Sequence, residues 1–230
     1  MKRKDIFLLG IVILILSPLL FWESGRQAYT LFNKDHGMIT SFIKFAVLAT
    51  FGEMLGLRIR TENYYRKTFG VLPKALIWGL IGLTIKMAFV IFATGIPIFL
   101  QYLGISDAVQ SMQQTLSYTK LGVALSISIA MNIIYAPVMM TFHKITDMHI
   151  SYYNGKLKSL IIPINFAQIF QTIDWKVQWH FVFKKTIPIF WIPAHTLTFL
   201  LPSDYQVLFA AALSVVLGLI LAIASLKSKN

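Results

Sequence analysis

The sequence from Lys184 to Ala224 reads KKTIPIFWIPAHTLTFLLPSDYQVLFAAALSVVLGLILAIA. Two apolar runs in it are joined by a Pro-Ser-Asp turn at 202–204. Within the stretch, the Asp of that turn is the one charge after Lys185. The second run covers 206–224 without a charge. As a helix it would rise roughly 28 Å, about the thickness of a bilayer's hydrocarbon core. The stretch therefore predicts a hairpin of two membrane-embedded segments.

Composition indicates the same class for the whole chain. Of its 230 residues, 57% are hydrophobic and 13% are charged, whereas a soluble domain carries about 25% charged residues. The net charge of +12 would suggest nucleic acid in a soluble protein. Here the Lys and Arg residues lie in short loops between apolar runs, so we expect the lipid bilayer as the partner and no nucleic acid. The chain has no cysteine, which excludes disulfides, thiolate catalysis and Cys-ligated metals.

Further apolar runs predict an all-α polytopic bundle of about six spans. Besides the hairpin, the predicted spans are at about 6–22, 39–57, 75–102 and 121–142. The first follows a basic start and could be a signal peptide, but an uncleaved helix is favoured because no Ala-x-Ala-like cleavage site follows. A shorter run at 160–173 favours a re-entrant or interfacial helix. We divide the chain into an N-terminal transmembrane helix with its connector, 1–38, and a helical membrane domain, 39–230.

The distribution of basic residues predicts the orientation of these spans. With the N-terminus inside, sixteen of the 21 Lys and Arg residues fall on the inner side, three fall outside, and Lys44 and Lys86 lie within spans. Cytoplasmic loops of membrane proteins carry such an excess of basic residues. We therefore expect both termini in the cytoplasm.

Three short motifs carry a family resemblance. They are GEMLG at 52–56, YAP at 135–137 with Asn132 before it, and the pair WIPAH at 191–195 and TFLLP at 198–202. Together they resemble the glycine strip, the aromatic-Ala-Pro element and the closing signature of the Mpv-seventeen/22-kDa peroxisomal membrane protein family. The resemblance covers roughly residues 45–225.

The chain also departs from that family. Ile192 separates Trp191 from Pro193, and Thr198 stands where the family has Asn before Phe199. The resemblance implies a divergent, prokaryotic-type member, located in the plasma (inner) membrane of a prokaryote. Some members are thought to form channels, so it also implies a channel role, and it provides no catalytic residues.

His195 is the polar residue that we single out. It lies between two prolines with Thr196 and Thr198 close by, and broken helices at membrane depth are tolerated where they are buried or line a wet cavity. One interpretation is a polar constriction of a pore. The alternative is that His195 bonds a neighbouring helix and only fixes packing.

Other polar residues inside predicted spans add candidates. Charges at bilayer depth need a partner or water, and we expect Glu53 to pair with Lys86. The full set of pore or polar-constriction candidates is His195, Thr196, Thr198, Asn132, Glu53 and Lys86.

Small residues at helical spacing predict close helix packing. A first set, Gly52 and Gly56, has the GxxxG spacing. A second set recurs every four residues in the last run and comprises Ala210, Ser214, Gly218 and Ala222. Such faces pack against a helix of the same chain or of a second copy in a homo-oligomer, and both alternatives stay open.

Catalytic and metal motifs are not found. His143, Asp147 and His149 lie close in sequence, but their spacing does not place both rings on one helix face. Neither a Gly-x-Ser-x-Gly, a His-Glu-x-x-His nor a Walker-type loop occurs. We therefore predict no metal, no cofactor and no enzyme activity.

The leading function is a small channel or solute-permeation protein; the alternative is a membrane scaffold that binds partner helices. A lipid-modifying enzyme is a weaker third option, because it would need a paired base and nucleophile.

Overall fold

A computed structural model of the chain describes residue 17 and residues 21–227, with side chains as far as residue 220. The span predicted at 6–22 thus lies almost wholly outside the described residues. Every regular element in the described part is helical, so the all-α prediction is confirmed. The α-helices are α1 (Glu23–Asp35), α2 (Gly37–Thr61), α3 (Val71–Tyr102), α4 (Ala108–Ser111), α5 (Tyr118–Ile134), α6 (Ala136–Tyr152), α7 (Phe166–Thr172), α8 (Trp175–Val177), α9 (Ile192–Leu200) and α10 (Ser203–Lys227). A short 3-10 helix covers Leu157–Leu160, and a π-helix covers Gln178–Trp191.

Three of the described helices are long and apolar enough to cross a membrane: α2, α3 and Ser203–Ile220 of α10. The pair α5 and α6 makes a fourth if it is counted as one bent span. These helices fit a membrane protein.

The chain divides into two compact units, Met1–Thr40 and Ser41–Asn230. In the first unit, α1 buries none of its residues, and the hydroxyl of Thr40 donates a 2.8 Å hydrogen bond to Oδ1 of Asn33. The second unit holds the rest of α2 and all the later helices.

Glycines of α3 let α2 approach it closely. A Cβ added to Gly79 would lie 2.5 Å from the ring of Phe42, and one on Gly82 would lie 2.8 Å from the carbonyl oxygen of Ser41. The hydroxyl of Ser41 donates a 2.7 Å hydrogen bond to the carbonyl of Gly82. Small residues that permit such contacts are typical of membrane helix pairs. Helices α2 and α3 therefore form a tightly packed hairpin.

The predicted span at 121–142 is divided at Tyr135. Helices α5 and α6 meet there at an angle of 44°. Pro137 lies in the first turn of α6, where its missing N–H is tolerated but the preceding helix cannot continue straight. Helix α6 also runs on to Tyr152, well past the predicted end of the span.

The first segment of the predicted hairpin is also divided. It begins as the π-helix, in which the hydroxyl of Thr186 bonds the carbonyl of Phe181 five residues earlier. It continues as α9, with Pro193 in the first turn. A π-helix of this length is rare, because π geometry occurs mostly as single turns, often at functional sites.

Two glycines join the loop before α3 to the loop after α6. Gly70 has a φ of +68° and Gly155 a φ of +66°, values that favour glycine. A Cβ on Gly155 would lie 2.5 Å from the backbone nitrogen of Gly70. The two backbones therefore touch where any side chain would separate them.

Candidate functional site

A cluster of charged side chains lies between α2, α3 and α6. Oε2 of Glu53 lies 2.6 Å from Nζ of Lys74, which also pairs with Asp147. Oε1 of Glu53 accepts hydrogen bonds from Nε1 of Trp78 at 2.7 Å and from Nε2 of His143 at 3.1 Å. Lys74 is buried, with 5% of its surface exposed. Burial of such charges is tolerated because each has a partner.

The hairpin of α2 and α3 and the length of α6 bring this cluster together. Glu53 lies in the second half of α2, and Lys74 lies in the first turn of α3. Trp78 follows Lys74 by four residues and Asp147 follows His143 by four, so each pair shares one face of its helix. Because α6 continues through Asp147, its face meets both other helices.

The predicted pair of Glu53 with Lys86 is wrong. Lys86 lies twelve residues beyond Lys74 on α3, which is roughly 18 Å farther along the helix. Its electrostatic neighbour on α2 is Lys44, which Asp204 also approaches. Glu53 is therefore paired near one end of the helix hairpin, and Lys86 lies well away from it.

A cavity of about 350 Å³ opens beside the charged cluster. Its charged lining consists of Glu53, Asp147, Arg60 and Lys144, together with His143. Both Arg60 and Lys144 are exposed, and neither has an ion-pair partner among the described residues. The π-helix supplies a further wall with Gln178, Phe181, Val182, Thr186 and Trp191.

A second, narrower cavity of about 50 Å³ shares part of that lining. The side chains common to both are Trp78, Met139, Met140, Trp191 and Ser214. The second cavity also reaches Asn132 and His195. The polar residues Glu53 and His195 therefore lie at two neighbouring cavities with a common wall.

His195 is held from three sides. Its Nδ1 lies 3.0 Å from the amide nitrogen of Asn132. Its ring stacks on Trp191 at 5.0 Å between centroids and meets the edge of Phe89 at 5.9 Å. Asn132 also donates a 2.8 Å hydrogen bond to the carbonyl of Ser128. Helices α5 and α9 are thus joined by a polar contact next to the narrow cavity.

The two threonines near His195 make hydrogen bonds within their own helix. The hydroxyl of Thr196 donates to the carbonyl of Ile192, and that of Thr198 donates to the carbonyl of Ala194. Both side chains are buried. Of the six candidates, the structure therefore brings Asn132 and His195 together. Glu53 lies at the wider cavity, and the threonine hydroxyls are taken up within α9.

The small residues of α2 and α10 face each other. A Cβ on Gly52 would lie 2.9 Å from Cα of Val215, and one on Gly218 would lie 2.8 Å from the carbonyl oxygen of Gly52. A Cβ on Gly56 would lie 3.6 Å from the carbonyl oxygen of Gly218.

Two further residues of the small-residue set in α10 are described. Ala210 is buried, and Ser214 lines both cavities. The side chain of Ala222 lies outside the described residues.

Sequence reasoning missed several residues of this site. The pattern of apolar runs places Lys74 in a loop, although α3 begins at Val71. Trp78 carries no signal beyond hydrophobicity, and Trp191 is marked only by the family resemblance.

The residues considered as a metal site separate in the structure. His143 joins Glu53, whereas Nε2 of His149 donates to the carbonyl of Ser159 at 3.0 Å. No group of three or more His, Asp or Glu residues in the described part of the chain is placed to hold a metal ion.

Comparisons with protein-family models, with curated proteins and with solved structures find no match for this chain. Inference about its function therefore depends on the two cavities and on the residues that line them.

Proposed function

We propose that this chain is an integral membrane protein that provides a small solute-permeation path through its own helical bundle. The observation that carries the proposal is the wall shared by the two cavities. This wall places a polar vestibule at Glu53 and His143 next to a narrow, mostly apolar cavity that Asn132 and His195 reach. Irregular backbone at membrane depth is tolerated where it lines a cavity. The π-helix lines the wider cavity and contributes Trp191 to the shared wall.

The small-residue faces favour permeation over a scaffold. A scaffold that binds partner helices would present its small residues outward to the lipid. Here Gly52 and Gly218 are in backbone contact with each other's helices, and Ala210 is buried inside the same chain. These faces are therefore already used for packing within one molecule, although a homo-oligomer formed through other faces remains part of the proposal.

The proposed topology has six spans with both termini in the cytoplasm. The described helices supply four of them if α5 and α6 count as one bent span. The π-helix with α9 is the fifth, and residues 6–22 are the sixth. The proposed location is the plasma (inner) membrane of a prokaryote, the role is non-enzymatic, and the resemblance to the Mpv-seventeen family belongs to the same proposal.

The test is the conductance of the purified protein in a planar bilayer. We expect discrete openings for the wild type. We expect His195→Ala and Asn132→Ala to change the size of these openings, because each substitution removes one of the two hydrogen-bonded polar side chains at the narrow cavity. Leu197→Ala is the matched control, since Leu197 is an exposed residue of the same helix α9. Its openings should equal those of the wild type.

A silent bilayer that contains verified, folded protein would contradict the permeation proposal and favour the scaffold. Equal openings in all four proteins would place the narrowest point of the path away from His195.

A further inference from the structure

The wider cavity combines free positive charge with an apolar interior. We infer that it is a binding site for a small amphipathic organic anion, a carboxylate head on an apolar body. This inference names the solute class of the proposed permeation path and so rests on that function. Its own test, however, is binding and needs no transport.

The charges around the cavity favour an anion. The cavity and the adjoining cluster contain two carboxylates, Glu53 and Asp147. They also contain three cations, Arg60, Lys144 and the buried Lys74, so positive charge is in excess. Lys74 already engages both carboxylates. Arg60 and Lys144 are the cations without an ion-pair partner in the described part of the chain. Arginine and lysine donate charge-assisted hydrogen bonds to carboxylates, so these two side chains are placed to receive the head of the ligand.

The rest of the cavity suits an apolar body. Beyond the charged residues its wall contains Met139, Met140, Trp78 and Trp191. Methionine side chains adapt to ligands of irregular shape, and mostly apolar walls with a few polar groups are typical of small-molecule sites. The volume of about 350 Å³ lies near the lower end of the range for such sites, about 300–1,000 Å³. The ligand is therefore small.

A buried donor belongs to the wall that the two cavities share. Nε1 of Trp191 is buried and has no hydrogen-bond partner among the described residues. Trp191 is 9% exposed and belongs to the wall shared by both cavities. An unpaired buried N–H is costly, and such groups are normally bonded to protein, water or ligand. A water molecule, or an acceptor atom that a ligand carries in addition to its carboxylate head, would satisfy it.

The experiment is equilibrium dialysis of radiolabelled probes against the full chain in lipid nanodiscs, with empty nanodiscs as the blank. The probes are hexanoate, the neutral hexanamide and the cationic hexylamine, with palmitate representing a lipid source of the same chemistry. We expect saturable binding of hexanoate and much weaker binding of the amide and the amine. Arg60→Gln and Lys144→Gln should each weaken hexanoate binding about tenfold, as expected for one lost charge-assisted bond.

Lys67→Gln is the matched control, because it removes one exposed positive charge outside the cavity, and it should bind hexanoate like the wild type. Binding of hexylamine as strong as that of hexanoate, or unchanged hexanoate binding in both cavity variants, would overturn the inference.

Binding of palmitate but not of hexanoate would assign the site to a lipid and would contradict the inference of a soluble acid. If the protein forms openings in the bilayer but does not bind hexanoate, only the proposed anion site is contradicted. If it binds hexanoate but forms no openings, only the proposed permeation path is contradicted.

Discussion

Lys74 is a single cation that two carboxylates share inside the bundle. It meets Glu53 and Asp147 while only 5% of its surface is exposed. Removing one partner of a buried ion pair leaves an uncompensated charge, which costs more than the pair contributes. At the scale of residues, the stability of the vestibule therefore depends on this side chain more than on any surface lysine.

Lys74→Met should lower the free energy of unfolding by about 3–5 kcal/mol, because it leaves Glu53 and Asp147 facing each other without their cation. The measurement is equilibrium unfolding in detergent or bicelles. The double variant Glu53→Gln/Lys74→Met should recover part of the loss, since it removes one of the stranded charges. Lys86→Met is the control and should cost far less. Similar losses for Lys74→Met and Lys86→Met would contradict the special role of the cluster.

Residue-scale prediction from the sequence was partly successful for physical reasons. An ionisable residue inside an apolar run must have a partner, so Glu53 could be recognised as paired. The identity of the partner depends on how far two helices slide past each other. The contacts of Gly79 and Gly82 with α2 fix that alignment, and the sequence of one helix does not contain it.

Several helix contacts in this bundle depend on glycine, which has no side chain. The backbone of Gly52 approaches α10 so closely that a methyl group would meet Cα of Val215 at 2.9 Å. Gly95 of α3, by contrast, has open space around the position of a Cβ. Although all three glycines of α3, Gly79, Gly82 and Gly95, look alike in the sequence, only the first two serve close packing.

Gly52→Ala should lower the free energy of unfolding by about 1–3 kcal/mol, because the backbone of α10 must move to accommodate the new methyl group. Gly95→Ala should be neutral or stabilising by up to about 1 kcal/mol, because alanine favours the helix. Unfolding of both variants under the same conditions provides the comparison. A loss at Gly95 as large as that at Gly52 would show that helix packing is not what distinguishes them.

At the scale of elements, apolar runs identified the helices but not their irregularities. The run at 39–57 became α2, which is longer at both ends, and the run at 75–102 became α3, which begins four residues earlier. The bend at Tyr135 lies next to Pro137, and the π-helix contains Pro188 and ends two residues before Pro193. Hydropathy does not report these features, and they are the ones that shape the cavities.

The whole molecule can be tested for its proposed orientation because the chain has no cysteine. In the proposed topology, single cysteines introduced at Lys67 and Tyr118 lie on opposite sides of the membrane. Tyr118 is 96% exposed, so its replacement should be accessible. In spheroplasts a membrane-impermeant maleimide should label Tyr118→Cys at once and Lys67→Cys only after lysis.

The reverse labelling would invert the proposed orientation. Labelling of both cysteines in intact spheroplasts would mean that α3 does not cross the membrane. Charge distribution could suggest the orientation from the sequence alone because basic loops are retained on the cytoplasmic side, whereas the cavities depend on how the helices pack.

The contact between Gly70 and Gly155 has a consequence for how the sequence can change over generations. Each residue has a left-handed backbone, and each occupies the space that a side chain of the other would need. No second substitution elsewhere can create that space, because the obstacle is main chain rather than a side chain. We therefore expect related sequences to keep glycine at both positions, because the loss of either one would separate the two loops.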